Sequence, residues 1–241
     1  MRRFSTLPAL SAALVFAAPA LAQVTTEPLP IIGAPDDGPA VGFQPATTSL
    51  AHDVRWLGNM VDIIMLIIMI FVFGLVAYCI FRFNRKRNPA PGSFTHNSPL
   101  EIAWTVVPIL ILVFIGSFSL PVLFNQQEIP EADVTIKATG YQWYWGYEYP
   151  DHEFAFDSFL LQRDQLEEYG YSQDEYLLAT DAAMVVPVGK TIVVQVTGAD
   201  VIHAWTVPSF GVKQDAVPGR LSELWFRPER EGVYFGQCSE L

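Results

Sequence analysis

The sequence predicts a membrane-anchored protein in which a hairpin of two transmembrane helices carries an all-β domain outside the bilayer. Three observations predict it. Two uncharged apolar runs, Ile63 to Phe81 and Ile102 to Phe124, each reach the length of roughly 20 residues that a bilayer-crossing helix needs. The segment between them carries Arg82, Arg85, Lys86 and Arg87 and no acidic residue. Beyond the second run the apolar residues recur with period two, the pattern of half-buried strands.

Residues 1–22 read as a secretory signal peptide: Arg2 and Arg3, an apolar stretch from Leu7 to Phe16, and small residues at Ala20 and Ala22 before Gln23. A first membrane helix is the weaker alternative, because the apolar stretch is short and Pro8 and Pro19 interrupt it. Residues 23–59, rich in Pro, Gly and Thr at their start, form an external N-terminal arm. The hairpin occupies 60–124, with helices at about 60–82 and 99–124 and a cytoplasmic loop at 83–98. Pro108 bends the second helix without ending it. Ser98, Pro99 and Glu101 spell a capping box at its start, with Ser98 as the cap. Asp62, at the outer edge of the first helix, reads as an interfacial charge.

A basic loop stays inside, so the mature N-terminus and everything after Phe124 lie outside. The signal peptide predicts the same topology independently. A bacterial inner membrane with the β-domain in the periplasm accounts for both.

The external portion, 125–241, holds 19 of the 25 Asp and Glu residues but only 7 of the 14 Lys and Arg. Such a field disfavours nucleic acid and favours a basic partner, although solubility alone explains many acidic domains. Val134, Ile136 and Ala138 share one face, and the alternation runs on after Gly140 through Tyr141, Trp143, Trp145 and Tyr147. Further strands are expected in MVVPVGKTIVVQVTG, with Val188, Gly189 and Lys190 as a turn, and in DVIHAWTVP, LSELWFRP and GVYFGQ. Together they predict a sandwich or barrel. The stretch SFLLQRDQLEEYGYSQDEYLL is acidic and less strand-like, a loop with one helical turn.

Alternation places His203 on one face with Val201, Trp205 and Val207. A lone His among apolar neighbours is usually a core residue. Cys238 raises the odds of ligation, since an exported thiol without a partner asks for a disulfide, a metal or a reactive role. Cys79 lies within the first membrane helix and cannot supply that partner. Thiolate with imidazole on a β framework suits copper, and zinc accepts the same pair.

The segments GYQWYWGYEYP, DVIHAWTVPSFGVKQDAVPGR and GVYFGQCSEL, together with the two-helix anchor, resemble subunit II of cytochrome c oxidase in its purple-bacterial and mitochondrial forms. The resemblance covers about Phe43 to Leu241. It implies a cupredoxin-like external domain with a dinuclear copper centre, which takes electrons from cytochrome c and passes them to haem in subunit I for oxygen reduction coupled to proton translocation. By the same resemblance His203 and Cys238 are copper ligands, and Glu240 contacts copper through its carbonyl and magnesium through its side chain, at the interface with subunit I. Trp143 resembles the tryptophan through which the electron enters. Glu148, Asp157, Asp181 and Asp200 stand where carboxylates attract the cytochrome, and Glu101 stands near the mouth of a proton-uptake path. The family pattern continues past CSEL with a second cysteine, a second histidine and a methionine, so this sequence is expected to be incomplete at its C-terminal end.

Two other readings compete. A copper-free structural subunit of a quinol oxidase would share the anchor and barrel, but His203, Cys238 and Trp143 argue against it. A membrane-anchored copper carrier would need neither the aromatic strip nor Glu101.

Overall fold

The computed structural model of the chain describes residues 29–34, 43–90 and 92–240. The signal-peptide reading of 1–22, and much of the arm, fall outside the described residues. In chain order the elements are β1 (Ile31–Ile32), α1 (Ser49–Arg82), α2 (Ser98–Gln127), β2 (Val134–Tyr141), β3 (Tyr144–Tyr149), β4 (Phe154–Phe159), β5 (Ile192–Gly198), β6 (His203–Val207), β7 (Val212–Ala216), β8 (Ser222–Phe226) and β9 (Val233–Tyr234).

Both helices are long and apolar enough to cross a membrane, and their surfaces are exposed over the apolar runs. They form a hairpin: Trp56 meets Phe118 edge-to-face at 5.6 Å, and Asn125 donates to Asp53 at 3.3 Å. At 34 residues α1 is about 50 Å long, against a hydrocarbon core of about 30 Å, so its first turns stand clear of the bilayer. The helix begins at Ser49, ahead of the apolar run that suggested a start near 60. Its first turn is fixed by the β-domain instead of by lipid.

Thr48 caps α1 by accepting from the Ala51 amide at 3.1 Å, and its hydroxyl donates to the Phe210 carbonyl at 2.7 Å. Thr47 donates through both its amide and its hydroxyl to the Ser209 carbonyl, each at 3.0 Å. Leu50 and Ala51 are buried there, and Gly211, at φ +70°, lets the backbones touch: a Cβ on it would fall 2.6 Å from the Ala51 Cα. Burying Leu50 alone contributes about 1.5–3 kcal/mol, which anchors the first turn of the helix in the domain.

At the start of α2 the cap is Asn97, not Ser98. Its side chain accepts from the Leu100 amide at 3.2 Å, and Glu101 accepts from the Asn97 amide at 3.4 Å. The box expected from the sequence sits one residue earlier because Asn97 takes the extended backbone of the cap.

The external domain is built on a five-stranded mixed sheet in the order β4-β3-β2-β5-β8, against which the β6–β7 hairpin packs. β2 runs parallel to β5 and antiparallel to β3. Their inner faces, with Ile136, Ala138, Val194 and Val196, meet Trp205, Val207 and Phe210 in the main core. Phe226 stacks on Phe210 at 4.6 Å and closes that core from β8.

Three expectations about strands need correction. The alternation does not run through Trp143: β2 ends at Tyr141, and Gln142 and Trp143 form the two-residue turn of a hairpin into β3. Tyr141 and Tyr144 directly face each other in its register, which a continuous strand would forbid. MVVPVGK forms no strand, because residues 184–188 run along the surface before a turn at Gly189. The stretch read as a loop starts in β4, which its aromatic residues pair with β3.

Candidate metal and electron-entry site

His203 opens β6 and is buried, 7% exposed. It lies against β2 where that strand has no side chain: a Cβ on Gly140 would sit 2.7 Å from the ring atoms Cγ and Cδ2. Trp145 contacts the ring edge-on at 5.9 Å. Glycine therefore makes the slot that the imidazole fills.

Asp200 fixes the ring. Its Oδ1 is 2.8 Å from His203 Nε2, and the carboxylate also accepts from the amides of Val201 at 2.7 Å and Gln142 at 2.8 Å. The histidine hydrogen bond, followed by these amides, lowers the Asp200 pKa to about 2. An ionised carboxylate only accepts, so Nε2 carries the proton and Nδ1 keeps its lone pair. Trp143, 85% exposed, follows Gln142 at the tip of the hairpin. One carboxylate thus ties the turn that presents Trp143 to the buried imidazole. The sequence marks Asp200 as a docking carboxylate, and its hold on His203 is new from the structure; the Asp-x-x-His spacing is the available signal.

Cys238 is exposed and free. The Ser239 amide donates to the Ala204 carbonyl at 3.1 Å, which lays the Cys238 segment beside the residue following His203. Gly236 comes so close to the Thr206 carbonyl that no side chain fits between them. Cys238 Sγ lies 4.0 Å from the Glu240 carbonyl. The structure thus brings the His203, Cys238 and Glu240 segments to one edge of β6. Among the described residues no group of three or more His, Cys, Asp and Glu side chains is close enough to hold a metal ion.

The other predicted residues fall into two groups. On the outer face of the sheet, Tyr141 stacks on Tyr144 at 4.6 Å and Tyr144 on Phe159 at 4.7 Å. In the rows below, Asp157 pairs in register with Gly146, and Glu148 with Lys137, whose ammonium it binds at 2.8 Å. Asp181 accepts from the Phe159 amide at 2.8 Å, holding the end of that aromatic column. Asp157 and Asp200 raise the Tyr144 pKa, after desolvation as the larger cause. Glu101 lies far away in sequence and structure, at the opposite end of α2 from the domain.

Two membrane helices carrying a mixed-sheet β-domain of cupredoxin-like form define a membrane-anchored subunit with an external domain. The particular family follows from comparison. Residues 134–241 match the family described as "Cytochrome C oxidase subunit II, periplasmic domain", and residues 38–122 match "Cytochrome C oxidase subunit II, transmembrane domain". Cytochrome c oxidase subunit 2 of Cereibacter sphaeroides is 61% identical over 96% of this chain and 80% of its own length. That of Arabidopsis thaliana is 39% identical over 83% of this chain and 78% of its own. The crystal structure of the periplasmic domain of cytochrome oxidase subunit II from Bradyrhizobium japonicum is 57% identical, covers 47% of this chain and 76% of that one, and aligns with a TM-score of 0.41. The chain belongs to the cytochrome c oxidase subunit II family, and so to a subunit of an oxidase complex that includes subunit I.

Proposed function

We propose that this chain is the electron-accepting subunit of its oxidase, with His203, Cys238 and Glu240 contributing to a copper centre and Trp143 as the point of entry. The observation that carries this reading is the shared carboxylate: Asp200 binds both His203 Nε2 and the amide of Gln142, next to the exposed Trp143. Bound there, a dinuclear copper centre supplies a one-electron acceptor for cytochrome c and a donor to haem in subunit I.

The donor set suits such a centre. His203 offers Nδ1, because Nε2 is held by Asp200; Cys238 offers a thiolate on an exposed edge; the Glu240 carbonyl lies beside that sulfur. These are the borderline and soft donors copper takes. The Glu240 carboxylate is exposed and is our candidate for magnesium at the subunit I interface.

The chain's own residues perform the rest. Gly140 and Trp145 shield the imidazole from water, Asp200 sets its tautomer, and the hairpin carries Trp143 out to the partner. Asp157, Asp181, Glu148 and Asp200 give this face a negative field for the lysine-rich rim of a cytochrome c. The basic Arg82–Arg87 loop supports a cytoplasmic assignment for the loop, and with it a periplasmic one for this face at a bacterial inner membrane. Glu101 then lies on the cytoplasmic side, available to proton uptake.

The test replaces His203→Asn and Cys238→Ser separately in the full-length subunit of an assembled oxidase. Loss of copper and of cytochrome c oxidation, with haem spectra intact, is expected for both. Full copper content and normal electron uptake in both variants would refute the assignment.

A further inference from the structure

The excursion at residues 160–179, between β4 and β5, has the acidic composition of a solvent loop but is built as a solid body. Leu161, Leu166 and Ala179 are buried in a small core of their own, separate from the main one. Its ends are closed by the Leu161 amide donating to the Ala179 carbonyl at 3.0 Å. Within it the Arg163 guanidinium lies 3.9 Å over the Tyr176 ring, and Ser172 and Glu175 form a reciprocal capping box.

The second core is completed from elsewhere in the chain. Phe235, three positions before Cys238, is the buried residue that fills it, with Tyr171 packed on its ring at 6.1 Å. Gln237, the neighbour of Cys238, donates from Nε2 to the Leu177 carbonyl at 3.3 Å. Leu177 holds a left-handed φ of 72°, a backbone that a leucine keeps only where its surroundings dictate it. On its other side the same segment is bound to β6 through Ser239 and Ala204. Residues 235–239 are thus gripped from both sides, by β6 and by the excursion.

We propose that the 160–179 excursion is a buttress that positions Cys238 for metal ligation, with Leu166, Leu177 and Gln237 as positioning residues; this rests on the copper reading above. On the β6 side the segment is held by the Ser239 amide and by the close approach of Gly236 to the Thr206 carbonyl, and the excursion supplies the opposing contacts through Phe235 and Gln237. Supports of this kind around a ligand typically change metal affinity by about 10–100-fold when removed.

The experiment uses Gln237→Ala and Leu166→Ala in the full-length subunit within the oxidase, the first being the milder change should the second misfold. Amide exchange of residues 235–240 is followed in copper-depleted protein, and loss of copper to a chelator in loaded protein. Both variants should exchange the Ser239 amide faster than the parent while β2 and β5 stay protected, and should lose copper about 10-fold faster. The pair Glu167→Gln and Glu168→Gln, on the excursion's exposed face, should change neither. Unaltered Ser239 exchange overturns the buttress. Faster exchange with unaltered copper retention overturns its role in positioning the ligand. An oxidase whose wild-type subunit takes up no copper overturns the metal reading alone, and the exchange data still decide whether the segment is gripped.

Discussion

Replacing Gly140 with alanine tests the packing of His203 directly. The new methyl group would lie 2.7 Å from Cγ and Cδ2 of the imidazole and 2.9 Å from its Cβ, where ordinary carbon contacts begin at about 3.4 Å. The ring must therefore retreat by several tenths of an ångström. It has little room, because Trp145 stands at its edge and Asp200 holds Nε2 at 2.8 Å. Overpacking of this kind costs about 1–3 kcal/mol. For a β-domain of roughly 100 residues that lowers the midpoint of thermal unfolding by about 5–20 °C. Followed by tryptophan fluorescence, the variant should unfold earlier, and the copper spectrum of the assembled subunit should shift as the imidazole moves. A midpoint within about 2 °C of the parent and an unchanged spectrum would show that the imidazole does not rest on β2.

Tyr147→Phe removes the acceptor of the Trp205 indole N–H, a bond of 3.2 Å, and should destabilise the domain by about 1–3 kcal/mol in chemical unfolding. Burial pushes the Tyr147 phenol up to about 12, so its ultraviolet titration should come well above the ordinary 10, and its contribution to stability is lost as pH rises above 10. The Thr191 amide and the Lys190 ammonium hold the Asp133 carboxyl below 3.8; its contribution is complete above that value and fades as pH falls through the lower folded one, which carboxyl-carbon NMR of the parent and of Asp133→Asn will read. Asp157→Asn should slow association with a basic cytochrome several-fold at low ionic strength and leave the midpoint of unfolding unchanged, as stopped-flow and calorimetry will show. Glu101→Gln keeps an acceptor for the Asn97 amide, so α2 should fold normally, and any fall in turnover then measures the titratable group itself.

The anchor was legible because lipid demands a property of composition, and two uncharged runs satisfy it without reference to the rest of the chain. The start of α1 was not, because Leu50 and Ala51 are fixed by a turn at Ser209 and Phe210 far along the sequence. Period two revealed β2, β5, β6 and β8, and it placed His203, Trp205 and Val207 together, all of which are buried. It failed at Trp143, since the two-residue turn shifts the phase: Tyr141 pairs with Tyr144 and Gly140 with Trp145, so Trp145 lies on the face opposite Tyr141 although the two are four residues apart. Gly140 gave no signal of its own: the need for a missing side chain exists only once β6 crosses β2. The core of the 160–179 excursion was likewise hidden, because its apolar positions follow neither strand nor helix spacing and its missing member is Phe235.

The four carboxylates read as one docking group differ in how freely they serve a partner. Glu148 is already paired with Lys137, so its field is largely neutralised at close range. Asp181 is spent locally on the Phe159 amide, where it keeps the aromatic column in place. Asp200 holds two amides and an imidazole, so neutralising it perturbs the Trp143 turn and His203 together with any partner. Asp157 forms no hydrogen bond or ion pair to a side chain among the described residues and stands on the open face below Tyr144. Charge that is not consumed inside the molecule is what steers a diffusing partner, so under the proposed docking reading Asp157 is expected to supply the salt-dependent part, while Asp200 ties the same face to His203. A variant of Asp200 therefore changes two things at once, and only comparison with Asp157→Asn separates the steering from the geometry.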